Sequence, residues 1–564
     1  MTGPPTTTPM TKAEKITVFF LPNLADIVLL FIIQIPLFLR PSYVFGDGST
    51  GWHLYTGDWI LANHAIPYHN LFSYNMPDKA WVAYEWLSDV IMASLVKLGG
   101  LNLLSLCVSF SLAWLLVLLY QRCRSQGAHF LIGMLLMILA NLLFFIHWLA
   151  RPVIFAFYGV YIFSTRLEDF QQGRISFKQM IIPMTLYMVL WVNTHPGFIF
   201  GFALIAIYLC SNLLSFLFCA GTARSGQYLQ KLKMLGTAFA CTFAASLINP
   251  YFLSLYVYIN QYLRGSAVLA ANEEFASPVF HGSLQSACLE VFFALFIVAL
   301  AIGRNRLSFP KLLTCIAFCH LALSAVRNIP LLAIVLLPAI AQLFSQVEFG
   351  KALSDGSSVS TEAESAPQWR QKLLTKWKSM TAMFDENEAL CKWHFWPITM
   401  FVVLFIASLN GGKLLGNDLL SCNWSPDDKP TKTLDYLNNA EQKGELDPLH
   451  GFNHDNWGGY LLYKMNQNVP RTEGTPQRKV YMDDRSDFYG TDFYVHYVTI
   501  DQVQPGWQQE LDNQKIQWLL VPNHSRIAEA LSATPGWKTL AQDKASVLIA
   551  RTSSNSSAPP NPHS

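Results

Sequence analysis

The sequence predicts a mainly α fold: a polytopic bundle of transmembrane helices with a small α/β domain at its C-terminal end. Three observations carry that reading. Hydrophobic residues make up 52% and charged residues 13%, against roughly 25% charged in a soluble domain. Apolar runs recur at the length of about 20 residues that a bilayer core demands. Beyond residue 420 the composition turns soluble-like and short β-type runs appear. With 564 residues and a net charge of +2, the chain has room for more than one domain and no basic excess that would point to nucleic acid. Its ten cysteines, among them Cys107, Cys210, Cys241, Cys315 and Cys319 in apolar runs, are not a disulfide framework.

The qualifying runs are 17–39, 100–120, 129–149, 152–166, 179–195, 197–218, 234–252, 285–303, 310–326, 328–346 and 395–415, eleven in all. No cleavage pattern precedes the first, which reads as a retained span. The segment WLSDVIMASLVKL (86–98) is shorter and more polar; it reads as a helix lying at the interface. With the N-terminus inside, 19 Lys and Arg fall on the inner side and five on the outer: Arg40, Lys79, Arg151, Arg264 and Arg327. Positive residues favour the inside, and eleven crossings then put the C-terminal part outside. The expected units are a transmembrane core at 1–350, a cytoplasmic linker at 351–394 and a last transmembrane helix at 395–415. An extracytoplasmic α/β domain at 420–552 and a disordered tail at 553–564 follow. Within 420–552, TKTLDYLNNAEQ reads as a helix. RKVYMDD and IQWLLVPN read as strands, and GWKTLAQDKASVLIAR as a hairpin about Asp543-Lys544.

Polar residues that are costly at membrane depth gather on the outer face. The first outer loop opens with GDGSTGWHLYTGDWI (46–60), holding Asp47, His53 and Asp58, and continues to Glu85. Arg151 begins the fourth span. His195 sits in WVNTHPG, Glu273 and Glu274 in NEEF, and Arg327 in VRNIP. Each has a plain structural alternative: arginines at helix ends snorkel, a histidine before proline can hold a turn, and paired glutamates can solvate a loop. Arg151 and Arg327, however, lie on the side the charge rule disfavours, each followed within three residues by proline. That points to a phosphate clamp. Asp47 between Gly46 and Gly48 gains nothing from packing, and the glycines would let a substrate come close. The constellation fits chemistry on a substrate whose lipid lies in the bilayer and whose head group lies outside it. A transporter or flippase for a lipid-linked glycan would place polar breaks at the midplane in two related halves, and neither is visible. A non-catalytic membrane assembly protein would leave Asp47 without a task.

Four stretches carry a family likeness: residues 47–87 with TGDWILANHAIPYHNLFSY and WVAYEWL, ARPVIF (150–155), WVNTHPGFIFG (191–201) with LINPY (247–251), and WGGYLLY (457–463) with MDDRSDFYG (482–490). Over about residues 20–550 the chain resembles the multi-span GT-C membrane glycosyltransferases, in particular a bacterial branch. The resemblance implies an inverting glycosyltransferase that moves a sugar from a polyprenyl-phosphate carrier to a glycan, lipid or protein acceptor on the extracytoplasmic face. It implies a bacterial inner-membrane location, a cytoplasmic N-terminus and contact with membrane lipids. Asp47 would be the general base, with His53 assisting it or binding the donor phosphate. Arg151, His195 and Arg327 would hold the carrier phosphate. Glu85, Glu273, Glu274, Asp484 and Arg485 would be auxiliary or acceptor-binding, and Trp52 and Trp59 would stack on sugar faces. Asp483 reads as part of a strand-end salt bridge. Some members bind a divalent metal through Asp-x-Asp; here position 49 is Ser, so a single aspartate fits direct deprotonation better, and a divalent ion stays an open alternative.

Overall fold

The computed structural model describes residues 11, 17–264, 273–303, 305–345, 394–447, 449–472 and 474–552, with isolated positions between 369 and 384. The expected tail 553–564 and nearly all of the expected linker 351–394 lie outside the described residues.

The molecule is mainly helical, and every one of the eleven apolar runs overlaps a described helix. Six described helices are long and apolar enough to cross a membrane: Thr17–Leu39, Trp86–Ser125, Phe130–His147, Pro196–Phe218, Leu284–Ile302 and Val326–Phe344. Phe309–Ser324 and Phe395–Leu409 are shorter apolar helices. Helix starts follow local chemistry. Ser176 and Gln179 form a capping box before Phe177–Thr194, and Ser308 caps Phe309–Ser324, which has Pro310 in its first turn. Both satisfy backbone N–H groups that have no partner inside the helix. Ile329–Phe344 is buried at every position except Gln342 and forms the centre of the bundle. Phe31, Leu135, Leu186, Phe218 and Ile297 instead point outward and are more than half exposed, an apolar surface suited to lipid.

The long helix Trp86–Ser125 has two arms. Gly99 and Gly100 leave helical geometry, and Gly100 takes φ +68°, a left-handed conformation that favours glycine. The first arm corresponds to the expected interface helix. Thr50–Asn63 is a helical wedge with Thr50–Gly57 wholly buried. It fits because two glycines face backbone. A Cβ on Gly57 would lie 2.0 Å from the Asp89 carbonyl oxygen, and one on Gly51 would lie 2.1 Å from that of Gly459. Gly57 thus seats the wedge on the Trp86 arm, and Gly51 seats it on the C-terminal helix Asp455–Met465.

The C-terminal α/β unit carries a four-stranded sheet ordered Gly451–Asn453, Trp518–Pro522, Ser546–Arg551, Trp537–Gln542. The first pair is parallel, with Gly451 opposite Trp518, and the other two are antiparallel. Helix Lys432–Gln442 covers TKTLDYLNNAEQ, and the hairpin turn holds Asp543 and Lys544. RKVYMDD is not a strand of this sheet. Its Val480 makes an isolated parallel bridge with Ser73, donating to Phe72 O at 2.9 Å and accepting from Tyr74 N at 3.2 Å. The backbone hydrogen bonds that would have built a sheet strand go to the first loop instead. Asn75 reaches Tyr481 O, and Tyr74 reaches Gly451 O, so loop and C-terminal unit form one body at this surface.

Candidate active site

A cavity of about 1050 Å³ opens between the ends of the bundle helices and the C-terminal unit. Asp47, His53, Glu85, Arg151, His195, Glu274, Arg327, Asp484 and Arg485 all line it. The side chain of Glu273 lies outside the described residues.

The short turn Tyr43–Phe45 and the start of the wedge helix hold Asp47 in place. One of its oxygens accepts from the Ser49 amide at 2.9 Å and from the Ser49 hydroxyl; the other pairs with Arg151. Arg151, at the turn before helix Val153–Gln171, pairs on its other side with Glu274. Asp47 is therefore not the lone, hydrated acid expected from its glycine neighbours. Its side chain is only 5% exposed. Burial alone would raise its pKa, but Arg151 and Ser49 outweigh burial and hold it at about 2. Glu274 is also pushed up by burial and pulled lower overall by Arg151 and Arg327. Gly48 does not open a path for substrate either. A Cβ there would lie 2.9 Å from the Asn456 side chain and 3.1 Å from Asp484 Oδ2, so this glycine lets the C-terminal unit come close.

His53 Nδ1 lies 2.6 Å from Asp89 Oδ1, and its Nε2 lies 4.0 Å from Glu85. Burial, against the pull of Asp47 and with the help of Arg151, lowers the imidazole to about 3. His53 is thus a neutral group held by Asp89, not a cation waiting for phosphate. His195 Nδ1 accepts the Gly197 amide at 2.9 Å, which leaves the proton on Nε2, 3.8 Å from Glu85 Oε1. Burial, then Arg327, keep His195 well below the ordinary histidine range. Both histidines can offer hydrogen bonds without carrying charge. Arg327 stands over the Phe275 ring at 4.4 Å and makes no ion pair among the described residues.

Asp484 comes from the C-terminal unit. Its Oδ1 accepts from Trp52 Nε1 at 2.8 Å. Trp52 also packs against His53, with ring centroids 3.7 Å apart, so its ring is not free to stack on a sugar. Burial, then the neighbouring charges of Asp47 and Asp483, raise Asp484 well above the usual carboxylate range. Arg485 lines the cavity but is committed elsewhere. It bonds Asp483 through Nε at 2.7 Å and Nη2 at 2.9 Å, and its guanidinium stacks 3.9 Å from the Phe72 ring centroid. Asp483 has the structural place read from its motif, with Tyr489 as a further donor at 2.8 Å.

Other groups at the site carry no outward signal in the sequence. Lys429, buried, donates to the carbonyls of Asp47 and Asn456 at 3.3 Å each and fastens the loop to the C-terminal unit. His147 bonds the Arg327 carbonyl at 3.2 Å. Asp427, Asp428 and Asp455 line the cavity from the C-terminal side. Two walls result. The wall built by the bundle ends carries Arg40, Arg151 and Arg327 together with Asp47, Glu85, Glu274 and the imidazoles of His147 and His195, while the facing wall carries Asp427, Asp428, Asp455 and Asp484 beside Arg485. Among the described residues no three His, Cys, Asp or Glu side chains are grouped to hold a metal ion, so no step is derived through one.

No family model and no curated protein matches the chain. Among solved structures, it is similar to the Archaeoglobus fulgidus oligosaccharyltransferase tethered with an acceptor peptide containing the NVT sequon. The identity is 12%, the TM-score 0.49, and the match covers 91% of this chain and 69% of that one. The apo form of the same protein matches with 11% identity, TM-score 0.48, and 91% and 70% coverage.

Proposed function

We propose that the chain is a membrane glycosyltransferase of the GT-C kind, moving a sugar from a polyprenyl-phosphate carrier to an acceptor on the extracytoplasmic face. One observation carries the reading: a cavity at the ends of the bundle helices brings Arg40, Arg151 and Arg327 on the helix side to face Asp427, Asp428, Asp455 and Asp484 on the side of the C-terminal unit. A carrier whose tail lies among the helices would place its phosphate at the first wall. There Arg327, which has no carboxylate partner among the described residues, would meet it by charge-assisted bonds. The neutral His195 would add a hydrogen bond. An acceptor would enter from the C-terminal side, where carboxylates can take its proton. The reading includes eleven crossings, from the apolar runs, an inner N-terminus, supported by the loop charges, and an inner-membrane setting, which the family resemblance implies.

Purified protein incubated with labelled polyprenyl-phosphate sugars, with and without a chelator, should release polyprenyl phosphate and label an acceptor fraction. Arg327→Ala should raise the donor KM at least about tenfold, the loss of one charge-assisted contact, and leave thermal stability near that of the parent. No transfer from any polyprenyl-phosphate sugar to lipid, glycan or protein fractions would sink the reading.

A further inference from the structure

We infer that Asp484, carried into the cavity by the C-terminal unit, takes the proton from the acceptor, and that Asp47 acts instead as the anchor of Arg151. The inference rests on the sugar-transfer reading. Its ground is how the two carboxylates are occupied. Asp47 is engaged at both oxygens, one by Arg151 and the other by the amide and hydroxyl of Ser49. A lone pair already holding a guanidinium is a poor proton acceptor. Asp484 has one oxygen fixed and one open. Trp52 holds Oδ1 at 2.8 Å, while Oδ2 has no hydrogen bond or ion pair among the described residues and borders the cavity beside Gly48. The Trp52 bond fixes the carboxylate plane without consuming the second oxygen, as a base in a rigid site requires.

The surroundings push the two acids apart, the pattern that separates acid and base roles on one fold. The charged groups acting on Asp484 are Asp47 from the first loop, Arg151 from the fourth-span turn, Asp483 from its own segment and Lys429 from the C-terminal unit. Burial and the two aspartates raise its proton affinity, and the arginine pulls the other way. A carboxylate raised above its ordinary range is a stronger base than one held below it.

The step balances without a further reactant. The acceptor's O–H or N–H bond breaks, and its proton goes to Asp484 Oδ2. The freed electron pair forms the bond to the sugar's anomeric carbon. The bond from that carbon to the phosphate oxygen breaks, and its electron pair leaves on the polyprenyl phosphate, where Arg327 and Arg151 meet the charge. Nothing is oxidised or reduced.

The test compares pH–rate profiles of the full-length protein and its Asp484→Asn, Asp484→Glu and Asp47→Asn variants, with a polyprenyl-phosphate sugar donor. Asn at 484 keeps an oxygen to accept from Trp52, so the fold contact is preserved. Asp484→Asn should lose about 10²–10⁴ in kcat, keep the donor KM within about twofold and lose the acid limb of kcat/KM. Asp484→Glu should recover part of the rate, and Asp47→Asn should raise the donor KM and keep an acid limb, moved to lower pH because the charge of Asp47 no longer raises Asp484. Should Asp484→Asn fail to fold, Trp52→Phe serves: removing the bond that favours the charged carboxylate should move the acid limb to higher pH. Transfer by the parent protein with an unchanged limb and rate in Asp484→Asn, or an unmoved limb in Trp52→Phe, would overturn the inference alone. A parent protein with no transfer at all would overturn the sugar-transfer reading beneath it.

Discussion

Arg151 sits between two carboxylates, and replacing it by Gln exposes what each costs when left alone. Glu274 is 35% exposed and can hydrate; Asp47, at 5%, cannot. Holding Asp47 well below its ordinary 3.8 is worth on the order of a few kcal/mol, at about 1.4 kcal/mol per pH unit. The sign follows from the depressed value: this stability is fully present above pH 3.8 and is lost as pH falls through about 2. At neutral pH, Arg151→Gln should cost about 3–5 kcal/mol, because a buried carboxylate is left without its partner. Asp47→Asn alone should cost less, since Arg151 retains Glu274. Adding Asp47→Asn to Arg151→Gln removes the orphaned charge, so the double variant should recover about 2 kcal/mol relative to the sum of the singles. Denaturant unfolding of the detergent-solubilised parent, singles and double at pH 7 measures the cycle. Losses that add to within about 0.5 kcal/mol would mean the two residues do not interact, and the pairing at the centre of the site would be wrong.

Two further outcomes test how the site is held together. Gly51→Ala places a methyl 2.1 Å from a backbone oxygen that cannot swing aside; it should cost about 1–3 kcal/mol or more and make the C-terminal unit more sensitive to limited proteolysis. Gly226→Ala, where nothing lies within 4 Å, should be neutral, and equal behaviour of the two would count against the close docking. Lys429→Met leaves the Asp47 and Asn456 carbonyls without their buried donor, which should lower unfolding stability by about 1–3 kcal/mol; an unchanged unfolding curve would show that the lysine does not fasten the loop.

What could be read in the sequence, and what could not, divides along a physical line. Hydropathy is a local property, so the helix positions were legible residue by residue. Arg151 and Arg327 stood out because their charge conflicts with their place beside apolar runs. Which groups pair could not be read, because the Arg151–Asp47 contact joins segments about a hundred residues apart and depends on how helices pack. Asp47 looked free for the same reason: its partner is remote, and a flanking glycine reads alike whether it admits substrate or a neighbouring helix. Lys429 resembles any lysine in a polar stretch, and only tertiary burial sets it apart. RKVYMDD had strand-like residues, but its backbone partners lie in the first loop, which no local pattern announces. The terminal hairpin was legible because its two strands are neighbours in sequence.

The bond between Trp52 and Asp484 links residues 432 positions apart, and that distance sets an order of events during synthesis. A ribosome adding about 5–20 residues per second needs roughly 20 to 90 s to travel from one to the other. Once Arg327 has been added, 157 residues remain before Asp484 (484 − 327), roughly 8 to 30 s in which the chain carries Arg151 and Arg327 but not Asp484. The cavity is therefore complete only when the C-terminal unit, made after the bundle segments that face it, has docked on them.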